Sequence, residues 1–415
     1  MTIQKAIVPQ RFFGLDVHKH YLIAVAVDAD LNVVMPAQRV EFTRLDAWIR
    51  KHIGADDAAA LEMTTNTWEL YDELSPHAHS VTVAHPPHVA LITRSQVMTD
   101  KIAASILARL LAKGLLVSVW VPPIEIRELR ALVAQRSKMT RLATQAKNRL
   151  HALLQRHHLL PPCGDLFHVQ HQAWWSSLPL GKLEKINMQS DLETLRFAEA
   201  QIARLGAMMS DIAAHNEDAV RLIHLPGLGV INALTVLAAI GRITRFAEAK
   251  YLVGYAGLGA RVHDSGLTSR SGRITKSGRK DLRAAMVEAA QVAVNTHPHW
   301  KAELARLEPR LGRNKAIVAI ARKLLVAVWY VLHEKATDRF AEPQFVARKL
   351  TQFAYKIGKD NRPADQSVMQ FVRQHMDMLQ LGADLRQVPW GTKKKPLPLP
   401  PSSLLSETMS GVPHT

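Results

Sequence analysis

Apolar residues in the first 121 positions come in short runs cut by polar breaks, the pattern of alternating strands and helices. Residues 12–35 form a β-rich apolar run, a turn at Asp28-Ala29-Asp30 and a second strand. Residues 43–53 fit a helix, residues 58–63 a short buried strand ending near Glu62, and residues 64–74 another helix. A strand at 80–84 follows, then a helix opened by Met98-Thr99-Asp100-Lys101 that runs to about Lys113. Residues 117–121 fit a last strand before Pro122-Pro123. This alternation predicts an α/β domain over residues 10–122.

Beyond Pro123 the period changes to that of long helices. Ile126, Leu129, Val133, Leu142, Ala146, Leu150 and Leu153 form an apolar stripe over 124–157. From 183 to 215, Met188, Leu192, Leu195, Ala198, Ile202, Leu205, Met209 and Ile212 recur at alternating three and four, a coiled-coil seam. That seam fits packing against the first helix and dimerisation alike, and residues 123–218 read as a helical stalk. A mostly α domain spans 219–335 and is helical from 282 to about His333. Residues 336–415 read as an extension with a helical patch at 367–378 and a disordered basic, Pro-rich tail from Lys393.

Charge narrows the class of partner. The 53 Lys and Arg against 36 Asp and Glu give a formal charge of +17, which points to a polyanion, most simply nucleic acid. Much of the excess lies on the first long helix, with Arg130, Arg136, Arg141 and Lys147, and around the Gly/Ser-rich loop 261–283, with Arg261, Arg270, Arg273, Lys276 and Arg283. The sole cysteine, Cys163, excludes an internal disulfide framework and a cysteine-based zinc site, and fits a reducing cytoplasm. The first residues lack the apolar core of a leader, and the stretch 106–121, read as the most apolar, is broken by Arg109 and Lys113, so no membrane span is expected.

Three acids, Asp16, Glu62 and Asp100, sit at element ends on separate segments. Hard oxygen ligands so placed suit Mg²⁺ and phosphodiester chemistry, although Thr99 or Asp100 also fits a plain helix N-cap. Leu225-Pro226-Gly227-Leu228-Gly229 is similar to the turn of a helix-hairpin-helix, where Gly227 and Gly229 would let backbone N–H groups approach a DNA phosphate. Ser265, between Asp264 and Gly266 and among cations, is placed to attack or to bind a phosphate.

Taken in order, these segments resemble the bacterial insertion-sequence transposases of the Piv/MooV invertase type. The likeness covers about residues 12–300. Gly14-Leu15-Asp16-Val17-His18-Lys19 is similar to the family's first-strand motif, a Gly, an apolar residue, Asp, Val, any residue, then Lys. Leu61-Glu62-Met63-Thr64 and Thr99-Asp100-Lys101-Ile102 are similar to its further acidic segments. Pro226-Gly227-Leu228-Gly229, Ala256-Gly257-Leu258, Ser265-Gly266, Ile274-Thr275-Lys276-Ser277-Gly278 and Leu282-Arg283 are similar to its C-terminal signature.

The resemblance implies an RNase H/RuvC-like domain whose Asp16, Glu62 and Asp100 bind Mg²⁺ at the scissile phosphate, and a second domain whose Ser265 forms a covalent link to DNA. It further implies a structured guide RNA that pairs with donor and target DNA. It also implies a homo-oligomer, dimer or tetramer, joining the acidic domain of one subunit to the serine of another. One departure stands out: where the family places a second helical Asp, three residues after Asp100, this chain has Ala103. Water, or another acid such as Asp28 or Asp30, would have to fill that place. The competing readings are a metal-only nuclease of the RuvC type and a catalytically silent nucleic-acid-binding protein.

Overall fold

Three antiparallel strands and two parallel ones make the sheet on which the acids lie. They are Arg11–Val17 (β1), Tyr21–Val27 (β2), Val33–Glu41 (β3), Asp57–Glu62 (β4) and Ser80–Ala84 (β5), in the order β3-β2-β1-β4-β5. β1, β2 and β3 pair antiparallel, while β4 runs parallel to β1 and to β5. The computed structural model describes residues 8–87, 89, 99–265, 268–359, 361–362 and 366–400, with 262–265 and 268–271 described in backbone only.

Helices Leu45–His52 (α1) and Thr67–Leu74 (α2) follow β3 and β4. Side chains alternate along a strand, and the two faces of β1 do different work. Phe13 and Leu15 are buried with Leu45 and Ile49 of α1 and Leu70 and Leu74 of α2. The opposite face, carrying Phe12, Gly14 and Asp16, is covered by helix Asp100–Ala112 (α3), whose Ala104 and Ala108 are fully buried.

The predicted run 12–35 contains one turn more than expected. His18-Lys19-His20 breaks it between β1 and β2, closed by the N–H of His18 on the carbonyl of Tyr21 at 2.9 Å. The strand expected at 117–121 is reduced to a single bridge between Ala84 and Ser118. Pro122-Pro123 follow at once and supply no N–H to extend it.

The chain divides into two compact units after Pro123. The second begins with Ile124–Arg156 (α4), a short helix Gln172–Ser177 (α5) and Lys182–Ala214 (α6). α4 and α6 pack against each other antiparallel, with ion pairs from Arg149 to Asp191 at 2.6 Å and from Lys147 to Glu199 at 2.8 Å. Most of the predicted seam is spent in this intrachain pairing: Met188, Leu192, Leu195 and Ala198 are buried against Ala146, Leu150 and Leu154. Each fully buried leucine there contributes about 1.5–3 kcal/mol.

The rest is helical around one large core: Glu217–Ile223 (α7), Val230–Ile240 (α8), Ala249–Tyr255 (α9), Lys280–Thr296 (α10), Pro298–Leu311 (α11), Arg313–His333 (α12), Pro343–Ile357 (α13) and Val368–Met378 (α14). The helix expected from 282 to 333 is thus three helices, broken at His297-Pro298 and at Gly312. Among the described residues α12, rather than 106–121, is the helix long and apolar enough to cross a membrane; Ile320, Leu324, Leu325 and Val328 bury its apolar side in the core.

Two β-ribbons interrupt the helices. Ala260–Ser265 (β6) pairs with Thr268–Ile274 (β7), where a loop was expected. Gln387–Trp390 (β8) pairs with Lys393–Pro396 (β9), where a disordered tail was expected; Val388 and Leu397 are buried, which anchors the lysines.

Candidate active site

Strand register brings the first two acids together. Leu15 of β1 pairs with Leu61 of β4, so the next residues, Asp16 and Glu62, stand side by side on the face that α3 covers. The helix comes close because position 14 is glycine. A Cβ there would lie 1.9 Å from the carbonyl oxygen of Ala104 and 2.4 Å from the nitrogen of Ala108. Thr99 caps the helix, its hydroxyl accepting the N–H of Ile102 at 3.4 Å, and Asp100 becomes the first helical residue.

His18, in the turn just after β1, lies between the two aspartates. Its Nε2 is 3.3 Å from Asp16 Oδ2 and 3.2 Å from Asp100 Oδ2. That nitrogen is shielded from solvent yet has no hydrogen bond of proper geometry. The imidazole stacks on Tyr21, ring centroids 4.7 Å apart, and the Tyr21 hydroxyl donates to Asp100 Oδ2 at 3.3 Å. The Arg39 guanidinium lies 3.7 Å from the centroid of the Tyr21 ring.

The electrostatics of the group are those of anions short of a cation. Burial pushes the Asp16 carboxyl above its ordinary range, and Asp100 adds to the push while His18 opposes it. Glu62 is raised by burial and then by Asp16. Among the described residues no Lys or Arg pairs with any of the three acids. Donor atoms of Asp16, His18 and Asp100 lie within 4.8 Å of one another, whereas Glu62 stands beside that cluster and outside it.

The substitutes considered for the missing acid do not reach the site. Asp28 lies beyond Val27, at the other end of β2, and its carboxylate is taken up by the N–H groups of Asp30 and Asn32, both at 2.9 Å. Asp30 sits in the same turn. Ala103 lies one helical turn after Asp100, with its N–H on the carbonyl of Thr99 at 2.9 Å and no side-chain donor to offer.

In the second unit, the signature segments meet at the base of the β6–β7 ribbon. Gly257, at φ +68°, fits beneath the carbonyl of Ser277, which a Cβ would approach to 2.1 Å. The N–H of Lys276 reaches the Gly257 carbonyl at 3.1 Å, and Arg283 Nη1 donates to the Ala256 carbonyl at 2.9 Å. Ser265 is the last residue of β6, its backbone partnered by Thr268. The side chains of Asp264, Ser265 and Arg270, and all of Gly266 and Leu267, lie outside the described residues.

The candidate cations fall into two groups. Arg130 is turned inward, donating to the carbonyls of Ala238 and Ala239 at 2.7 and 3.2 Å, and Arg283 is held at Ala256. Arg136 is half-buried against Gly206, and burial lowers its basicity. Lys147 is paired with Glu199. Arg261, Arg273, Lys276 and Arg141 are exposed, and only Arg261 has a partner among the described residues, the Thr275 carbonyl at 3.3 Å. Beside Arg273 and Lys276, an apolar groove of about 1580 Å³ opens between the ribbon and α12, a feature the sequence pattern did not signal.

The helix-hairpin-helix-like turn lies between α7 and α8. Gly227, at φ +78°, is dictated by packing: a Cβ would lie 1.9 Å from the carbonyl oxygen of Ala289. Gly229, the α8 N-cap, is exposed and open. Lys349 of α13 reaches under the turn, its ammonium donating to the carbonyls of Leu225 and Leu228 at 2.6 and 3.0 Å.

A mixed sheet of this order, with carboxylates at adjoining strand ends that no Lys or Arg pairs among the described residues, is consistent with a nuclease-like α/β domain, followed in the chain by a helical unit with a basic ribbon. Comparison with protein families gives the same class. An IS110-type transposase model matches residues 13–159, and the model described as Transposase IS116/IS110/IS902 family matches residues 219–305. Together they cover more than half of the chain, in order, and the chain belongs to the IS110/IS116 family of transposases.

Its relatives include a putative transposase of Sinorhizobium fredii, 26% identical over 85% of this chain and 90% of the relative. The pilin gene-inverting protein of Moraxella bovis is 27% identical over 78% of this chain and 96% of its own length. The transposase for insertion sequence element IS1111A of Coxiella burnetii is 27% identical over 61% and 71%. The family implies a divalent metal, and the donor set of Asp16, His18 and Asp100, crowded and without a cation, fits one.

Proposed function

We propose that this transposase cuts and rejoins the DNA of an insertion sequence with a divalent metal, Mg²⁺ or a close substitute, at Asp16, Glu62 and Asp100 and with Ser265 as nucleophile. The observation that carries the reading is the convergence of Asp16, Glu62 and Asp100 where α3 covers one face of the sheet, with no Lys or Arg partner among the described residues. A divalent metal bound there neutralises and polarises the scissile phosphate.

The rest of the chemistry falls to the second unit. As the bond from Ser265 Oγ to phosphorus forms, the hydroxyl gives up its proton and the leaving deoxyribose oxygen takes one up. Reversal of that step on another strand rejoins the backbone with no net change in bond type. The exposed Arg273 and Lys276 at the ribbon base hold phosphates, and Gly229 leaves the α8 N-terminus open to one. The name of the Moraxella bovis relative, an inverting protein, supports recombination over simple cleavage.

A structured RNA from the element guides the choice of DNA, and the active form is an oligomer. The test is strand transfer with purified chain, labelled element ends and the adjoining transcript. Joined product that needs the metal and the transcript is expected. Product formed equally well without the transcript removes the guide, and ends cut but never joined support a plain nuclease.

A further inference from the structure

We propose that His18 is a ligand of the divalent metal in the acidic centre, in the place that Ala103 leaves without a donor, and that the centre therefore selects Mn²⁺ over Mg²⁺. The inference rests on the metal reading above and deepens it.

The spacing of the donor atoms suits a coordination sphere. With bonds of about 2.1 Å, neighbouring ligands of an octahedral ion stand roughly 3.0 Å apart. His18 Nε2 lies 3.3 Å from one carboxylate oxygen and 3.2 Å from the other. The nitrogen is buried, and it makes a proper hydrogen bond to neither oxygen. A nitrogen set close enough to pair with both carboxylates is also placed to share a metal ion with them.

The ring is also held in place. It stacks on Tyr21 at an interplanar angle of 24°, and the N–H of His18 closes the turn onto the Tyr21 carbonyl at 2.9 Å. Tyr21 in turn donates to Asp100. Ligand, partner ring and neighbouring carboxylate thus form one fixed unit, and a ligand fixed beforehand loses little freedom on binding.

The choice of metal follows from the donor set. Mg²⁺ favours oxygen ligands and retained water, whereas imidazole is a better ligand for transition ions. A centre with an imidazole in place of a fourth carboxylate carries less negative charge and one nitrogen donor. Both changes weaken Mg²⁺ more than Mn²⁺.

Mn²⁺ titration of the full chain, freed of any histidine tag and followed by electron paramagnetic resonance, tests this directly. Loss of the free-ion signal gives affinity, and pulsed measurements read nitrogen coupling to the bound ion. The wild type is expected to bind one Mn²⁺ at least tenfold more tightly than Mg²⁺, on the order of a ligand's worth, with nitrogen coupling. His18→Ala should lose the coupling and about tenfold in Mn²⁺ affinity while Mg²⁺ affinity stays within about threefold. Ala103→Asp should raise Mg²⁺ affinity and narrow the preference.

Bound Mn²⁺ that is lost in Asp16→Asn, yet shows no nitrogen coupling and is unchanged in His18→Ala, overturns the proposal and leaves the metal reading standing. Absence of any binding that Asp16→Asn affects overturns the metal reading itself.

Discussion

The two units treat charge in opposite ways. In the first, carboxylates converge with no Lys or Arg pairing them among the described residues: His18 lies between Asp16 and Asp100, and Glu62 stands beside them. The contrast inside that unit is Asp57, equally acidic and fully buried, which takes both Arg11 nitrogens at 2.8 and 2.7 Å and the Gly54 N–H at 2.7 Å. In the second unit, several buried cations are satisfied by backbone carbonyls. Arg130 and Arg245 cover the carbonyls of Ala238, Ala239 and Ile240 at the end of α8, and Lys349 covers those of Leu225 and Leu228. Helix C-termini carry partial negative charge, so Arg130 and Arg245 complete α8, while Lys349 closes the turn between α7 and α8. Part of the +17 excess is therefore structural, and an inventory of Lys and Arg overstates the surface offered to nucleic acid.

The largest effect expected from breaking this contrast is on the acids. Asp16→Asn should lower strand transfer by about 10²- to 10³-fold, on the scale of losing one preorganised electrostatic partner. The same change should leave the metal-free protein no less stable, because burial and Asp100 already oppose the Asp16 charge. A denaturant melt without metal, run beside the transfer assay, checks both.

Next comes Lys349, the most confined of the cations, whose ammonium burial holds down to about 7. Between about pH 7 and 10.5 the unfolded chain keeps a proton here that the folded chain has lost, so stability should rise with pH by up to about 1.36 kcal/mol per unit. Below about 7 both states are protonated and the slope from this group vanishes. Denaturant midpoints across that range should show the rise in the wild type and a flatter curve in Lys349→Met.

The smaller effects separate the two kinds of arginine. Arg130→Ala leaves carbonyls of α8 without their donor and should cost about 1–3 kcal/mol, with little change in the salt dependence of DNA binding. Arg273→Ala, at an exposed position, should change stability by less than about 0.5 kcal/mol and reduce the salt slope by about one. Unfolding curves and binding isotherms at several salt concentrations distinguish them.

Much of the acidic unit was legible in the sequence because buried strands announce themselves. Asp16 and Glu62 stood out as charges at the ends of apolar runs, and the α/β alternation gave the order of elements. The His18-Lys19-His20 turn was hidden inside a run whose flanks are both apolar. His18 itself carried no readable signal, because it lies in that turn just past the strand and the family motif allows any residue there. The β6–β7 ribbon was illegible for the opposite reason. Arg261-Val262-His263-Asp264-Ser265 has no apolar alternation, because a two-stranded exposed ribbon has little core to face. Lys393–Lys395 read as disorder for lack of any local signal of β8, which buries Val388 instead. Gly227 was read as a phosphate contact; its close approach to the backbone of Ala289, sixty-two residues away, is a second demand for glycine that no local pattern reveals.

The central claim, metal-assisted attack by Ser265, is tested most directly by a covalent adduct. Purified chain, divalent metal, labelled element-end DNA and the adjoining transcript are mixed, denatured and resolved by size. Labelled DNA attached to the wild-type protein, and absent from both Ser265→Ala and Asp16→Asn, is the predicted result. An adduct that persists in Ser265→Ala, or free cleaved ends from a wild type that never becomes attached, contradicts it.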